Sequence, residues 1–200
     1  MAYLDEEIAK RFKQQRMKKI EEEKKLREKE LDEKVDFEEI KKGIVEGECE
    51  VHDRIFQFQR YEICDGRFGI NIPYIKTIVQ NDLPQLFKVA DNELGFSCTV
   101  SSSDEKQEFF ELGFYKKMIE KNLKKVTYKW LEEGVELVNG YKISYLDFIT
   151  MTGMGSIHQN MWFVMGPHGQ TQVVVNYDHS EHKYWKHLIK GIRETFEVIG

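Results

Sequence analysis

Downstream of residue 50, apolar and polar residues alternate in short runs separated by turn dipeptides; upstream, no such alternation exists. The alternation predicts strands over 55–64 and 67–72 around Asp65-Gly66, a dipeptide that tolerates the positive φ angles of a two-residue hairpin. Phe68, Ile70 and Ile72 share one face there, and Pro73 closes the strand because it has no N–H for a ladder. Strands are also predicted over 85–90 and 95–101, joined through Asp91-Asn92. Ser102 with Glu105, and Asp104 with Gln107, fit helix-start boxes for a helix over 105–124, with Leu112, Tyr115, Ile119 and Leu123 on one face. Asn139-Gly140 joins strands over 135–138 and 141–148. A further hairpin over 156–165 and 170–177 turns at Gly166-Pro167-His168-Gly169. Asp178 and Glu181 box a last helix carrying Trp185, Leu188, Ile189, Ile192, Phe196 and Ile199 at helical spacing.

Hairpin loops this short exclude parallel crossovers, so the sheet is expected to be mainly antiparallel. Two helices, each with one apolar face, must then cover it. The expected class is α+β: a mainly antiparallel sheet flanked by helices, preceded by a long charged N-terminal helix.

That arm occupies residues 1–48 and the α+β domain residues 49–200. The arm holds 28 charged residues, 13 basic and 15 acidic. Residues 4–34 lack Gly and Pro, and pairs such as Glu6–Lys10, Glu21–Lys25 and Glu30–Lys34 favour helix by about 0.2–0.5 kcal/mol each. Its apolar positions keep no sustained heptad, so a long coiled coil is not expected. Leu4, Ile8 and Phe12 form a short stripe suited to docking on a partner or a second copy, although a solvated helix explains the arm equally well. Phe37, Ile40 and Ile44 form a second stripe that can pack against the domain.

Composition narrows the function. A net charge of −5 disfavours nucleic acid and anionic membranes as partners. No apolar run reaches the ~20 residues of a membrane span, and no secretory n-region opens the chain. Three cysteines, Cys49, Cys64 and Cys98, match no metal spacing and suit a reduced cytoplasmic setting.

The segments RYEICDGRFGINIP, VELVNGYKISYLDF and NMWFVMGPHGQTQVVVNYDHSEHKYWKHLIKGIRETFEVI resemble the PsbP-like superfamily, which includes the Mog proteins and bacterial effector-associated chaperones. The resemblance covers residues 55–199. It implies an α-β-α sandwich that acts by binding other proteins rather than by catalysis, and it transfers no individual binding residue.

Candidate chemistry is sparse. Five histidines follow residue 155: His158, His168, His179, His182 and His187. On one helix His182 and His187 point roughly 140° apart. His179 joins His182 only if the helix starts early, whereas Asp178 is wanted as its cap. Surface histidines and no metal site are therefore expected, and no cofactor. Gly153-Met154-Gly155-Ser156 near His158 lacks the G-x-S-x-G elbow and reads as a turn. Met151, Met154, Met161 and Met165 cluster beside Trp162, with Met161 and Met165 on one face and Trp162 on the other. Either a helix covers each face, or these five residues line an adaptable groove for an apolar helix or peptide. The expected function is a non-enzymatic protein-binding module, an adaptor or chaperone of a bacterial secretion or injection system. The alternatives are an immunity or inhibitor protein, or a small hydrolase or metal enzyme using the histidine-rich end.

Overall fold

The computed structural model describes residues 17–19, 22, 32–33, 35–75, 81–103, 111–124, 126–153, 155–167 and 169–199. Its contacts separate Met1–Asp36 from a second unit, Phe37–Gly200. In the first unit, the described positions 17–19, 22 and 32 are helical; Leu4, Ile8 and Phe12 lie outside the described residues. The second unit starts twelve residues before the expected boundary at 49. It opens with α1 (Phe37–Glu46), whose Ile40 and Ile44 are buried, and Ile44 abuts Gly191. The second apolar stripe thus belongs to the domain core.

The strands that follow are β1 (Glu48–Val51), β2 (Arg54–Ile63), β3 (Phe68–Pro73), β4 (Asn81–Leu83), β5 (Leu86–Asp91) and β6 (Phe96–Ser103). After α2 (Leu112–Asn122) come β7 (Thr127–Val138), β8 (Tyr141–Thr152), β9 (Gly155–Gly166) and β10 (Gly169–Asp178). A 3-10 turn (His179–Glu181), α3 (His182–Glu194) and β11 (Glu197–Val198) end the chain. Two antiparallel sheets result, ordered β1-β2-β3-β11 and β4-β5-β6-β10-β9-β8-β7. The Asp65-Gly66 and Asn139-Gly140 turns sit where expected, each with positive φ at both residues.

Three expectations need correcting. Ser102 does not cap a helix but extends β6 opposite Thr171, and the described helix begins at Leu112; Asp104, Glu105 and Gln107 lie outside the described residues. The strand before Asn139 reaches back to Thr127, because Tyr128 and Trp130 continue the alternation. Phe196 and Ile199 leave the last helix and flank β11, whose Glu197 and Val198 pair with Gly69 and Phe68 of β3.

Cross-strand partners share a face, so the register defines both faces of the large sheet. One face carries the row Tyr145, Trp162, Val173, Val100, Phe87 and a second row His158, Tyr177, Phe96. The Trp185 ring of α3 stacks on Phe96 and Tyr177 and meets Phe56 of the small sheet edge-on, which closes this side as the main core. On the opposite face α2 packs chiefly over β8 and β9, where Tyr115 and Ile119 meet Leu146, Phe148, Met161 and Phe163, with Trp130 of β7 and Val174 of β10 at the margin. Beyond α2, that face carries Thr99, Ser101 and Ser103, a polar row that needs no cover. No helix among the described residues is long and apolar enough to cross a membrane.

Candidate functional sites: a histidine cleft and an open sheet edge

The methionine cluster does not form a common surface. Met161 lies in the core under α2, while Trp162 is fully buried on the opposite face under α3. Met165 sits partly exposed at one end of β9, and Met151 is half-exposed at the far end of β8. Met154 lies outside the described residues. Met161 and Trp162 thus fill the two buried faces of a central strand.

The histidines, in contrast, come together. Register sets His158 of β9 directly opposite Tyr177 of β10, and Asp147 of β8 lies one row away opposite Asn160. Immediately after β10, Asp178 accepts hydrogen bonds from the Ser180 backbone N–H at 2.8 Å and the Ser180 hydroxyl at 2.7 Å. This cap winds a 3-10 turn before the α-helix proper, so His179 and His182 both face back over the sheet end. Asp178 does cap, as expected, but it caps the tighter turn. That extra turn brings in His179, and the expectation that the histidines remain apart is corrected by it.

Within the cluster His158 is fully buried. Its Nε2 donates to the Asp147 carboxylate, and its Nδ1 lies 3.4 Å from His179 Nδ1. The Tyr177 hydroxyl meets His182 Nδ1 at 3.0 Å, with the two rings nearly coplanar. The His158 ring lies flat across both of them, at centroid distances of 4.6 Å. Burial, reinforced by the neighbouring His158 and His179 imidazoles, lowers the His182 pKa to about 4; burial also lowers that of His179. Both rings are therefore neutral at pH 7. Burial pushes the Tyr177 phenol well above its ordinary range, so it stays protonated. Beside the cluster opens a cleft of about 550 Å³, lined by Asp147, Asn160, Tyr177, His182, Glu132 and Lys186 among others. Asn160 is 5% exposed, and its Oδ1 has no hydrogen-bond partner among the described residues.

The second feature is β7. It ends the large sheet, so over twelve residues its outer backbone edge pairs with no strand among the described residues. Val135 and Leu137 project from the same face of it, 47% and 76% exposed, and Leu131 stands out at a bulge. Glu132, Glu133 and Glu136 make the strand acidic against a single Lys129. The alternation Val135-Glu136-Leu137 marked a strand in the sequence; nothing local marked that strand as an edge.

No protein-family model matches the chain, and no curated protein is significantly similar to it. Among solved structures, the chain resembles cyanobacterial PsbP (CyanoP) from Synechocystis sp. PCC 6803 with a TM-score of 0.56 and 13% identity, covering 71% of this chain and 92% of that one. A protein of unknown function from Pseudomonas aeruginosa, PA94, a putative regulator, aligns over 72% of this chain and 98% of its own at 12% identity, with a TM-score of 0.47. The immunity protein TplEi of the P. aeruginosa T6SS, in complex with "L" peptide, aligns over 57% of this chain and 48% of its own at 14% identity, with a TM-score of 0.45. Likenesses below a TM-score of 0.5 carry no argument here, and the first establishes architecture alone. An antiparallel sheet between helices, shared in outline with CyanoP, gives this chain a PsbP-like α+β fold.

Proposed function

We propose that the chain is a non-enzymatic protein-binding module that captures an extended segment of a partner along β7. The open edge carries this reading: a twelve-residue strand whose outer backbone pairs with no strand among the described residues, beside exposed Leu137 and Val135. An added strand would gain main-chain hydrogen bonds from the edge and bury apolar side chains against Val135 and Leu137. Natural sheets guard such edges with lysine, proline or short strands. Here the edge is long and holds one lysine. Its Glu133 and Glu136 are held by Lys116 and Arg193 and its Glu132 accepts from the Tyr145 hydroxyl, so what the edge offers a partner strand is backbone and the apolar Val135 and Leu137.

An adaptor or chaperone holding a protein before export and an immunity protein blocking a toxin are both forms of this reading. The identity of the captured partner separates them.

The test compares affinity capture from the native cell by wild-type protein, by the double variant Val135→Lys/Leu137→Lys, and by Ile55→Lys on the small sheet as a control. All three should give the same circular dichroism. A partner held by wild type and control, and reduced at least tenfold by the edge variant, is the expected result. Equal recovery by all three would exclude β7 as the docking site.

A further inference from the structure

We infer that His158, His179 and His182 form a binding site for one divalent transition-metal ion of the zinc type, with Asp147 and Tyr177 as outer partners. None of the three ligands lies on β7, although Leu131, Glu132 and Glu136 of that strand line the cleft beside them, so the site stands or falls without the docking edge.

Each of the three histidines offers a ring nitrogen, and these nitrogens lie within 4.8 Å of one another. For Zn–N bonds of about 2.0–2.1 Å, the edge of a coordination tetrahedron is about 3.3 Å. His158 Nδ1 and His179 Nδ1 are already 3.4 Å apart. The other two edges, from His182 to each of its partners, lie within 4.8 Å and close when His182 tilts out of its stack on His158.

The outer contacts orient His158 for a metal and decide which nitrogen of His182 is left for it. A histidine ligand usually gives its second nitrogen to a carboxylate or another polar group, which fixes tautomer and ring direction. Asp147 takes the Nε2–H of His158, leaving Nδ1 for the ion. Tyr177 engages Nδ1 of His182, leaving Nε2. With its Nε2–H given to Asp147, His158 turns the lone pair of Nδ1 toward His179 Nδ1, and the ion takes the place between them with the His179 proton on Nε2. Imidazole donors select zinc, copper, nickel or cobalt over magnesium and calcium.

Three protein ligands leave the fourth tetrahedral position for water or an anion entering from the adjoining cleft. The orphaned Oδ1 of buried Asn160 offers such an occupant an acceptor.

Cobalt(II), followed by its visible absorption, and zinc, followed by calorimetry, are the probes, titrated into metal-free full-length protein. The expected result is one equivalent of saturable binding with the intense absorption of tetrahedral cobalt. His179→Ala, at a partly exposed position that leaves the fold intact by circular dichroism, should abolish that signal. Asp147→Asn should weaken binding about 10- to 100-fold. Absence of saturable binding by the wild type would overturn the assignment. So would unchanged stoichiometry and affinity in His179→Ala, which would place the ion elsewhere.

Discussion

Asp178 holds the junction between β10 and α3 through its two hydrogen bonds from Ser180. Those bonds keep its carboxyl below the ordinary carboxylate range. A depressed folded pKa means that the stabilisation is present above the unfolded value of 3.8 and is lost as pH falls through the folded one. Asp178→Ala should cost about 1 kcal/mol in urea denaturation at pH 7, a typical cap value, and less of that difference should remain near pH 3. The thiols give an independent check. Burial raises Cys98 to about 12 and Cys49 to about 11. A native sample at pH 8 should therefore leave both unreacted with a thiol reagent, whereas unfolding exposes them at once. The native state also holds more protons than the unfolded one between about 9 and the raised values, so these groups make stability fall as pH rises through that window. Asp178 was legible as a cap from its spacing to Glu181. The meeting of His158 with His179 and His182 was not: it depends on cross-strand register and on a 3-10 turn, neither of which a residue's neighbours in sequence encode.

Among the elements, hairpins with positive-φ dipeptides and the amphipathic α3 were readable because their signals are local. The reach of β7, the pairing of β11 with β3 and the docking of α1 are decided by tertiary partners. The approach of α1 to β1 is close: a Cβ on Gly43 would sit 2.5 Å from the Glu48 carbonyl oxygen. Because the obstacle is backbone, Gly43→Ala should destabilise by about 1–3 kcal/mol despite the better helix propensity of alanine. A neutral or stabilising outcome in thermal unfolding would show that α1 docks less tightly. At the other end of the domain, Arg193 pairs with Glu136 and lies over the Tyr145 ring at 3.9 Å, tying α3 to the strand that carries the open edge. The edge is thus presented on a braced support, as a docking strand must be if its partner is not to be met by fraying backbone.

At the scale of the molecule, the change in composition near residue 48 suggested a boundary that lies at Phe37. Charge density hid the fact that Ile40 and Ile44 are core residues, each worth about 1.5–3 kcal/mol when buried. A protein beginning at Phe37 should unfold cooperatively, whereas one beginning at Cys49 should lose several kcal/mol and expose Gly191 and its surroundings on α3; denaturant melts of the two distinguish these outcomes. β7 is the strand proposed to hold the partner. The most direct measurement places a photo-crosslinking amino acid at position 137 in the full-length chain, irradiates living cells, and identifies adducts by mass spectrometry alongside the same substitution at position 55. The expected result is one abundant heterologous adduct from 137, joined through an extended apolar segment and missing from 55. Crosslinks only to another copy of this chain, or the same adducts from both positions, would contradict it.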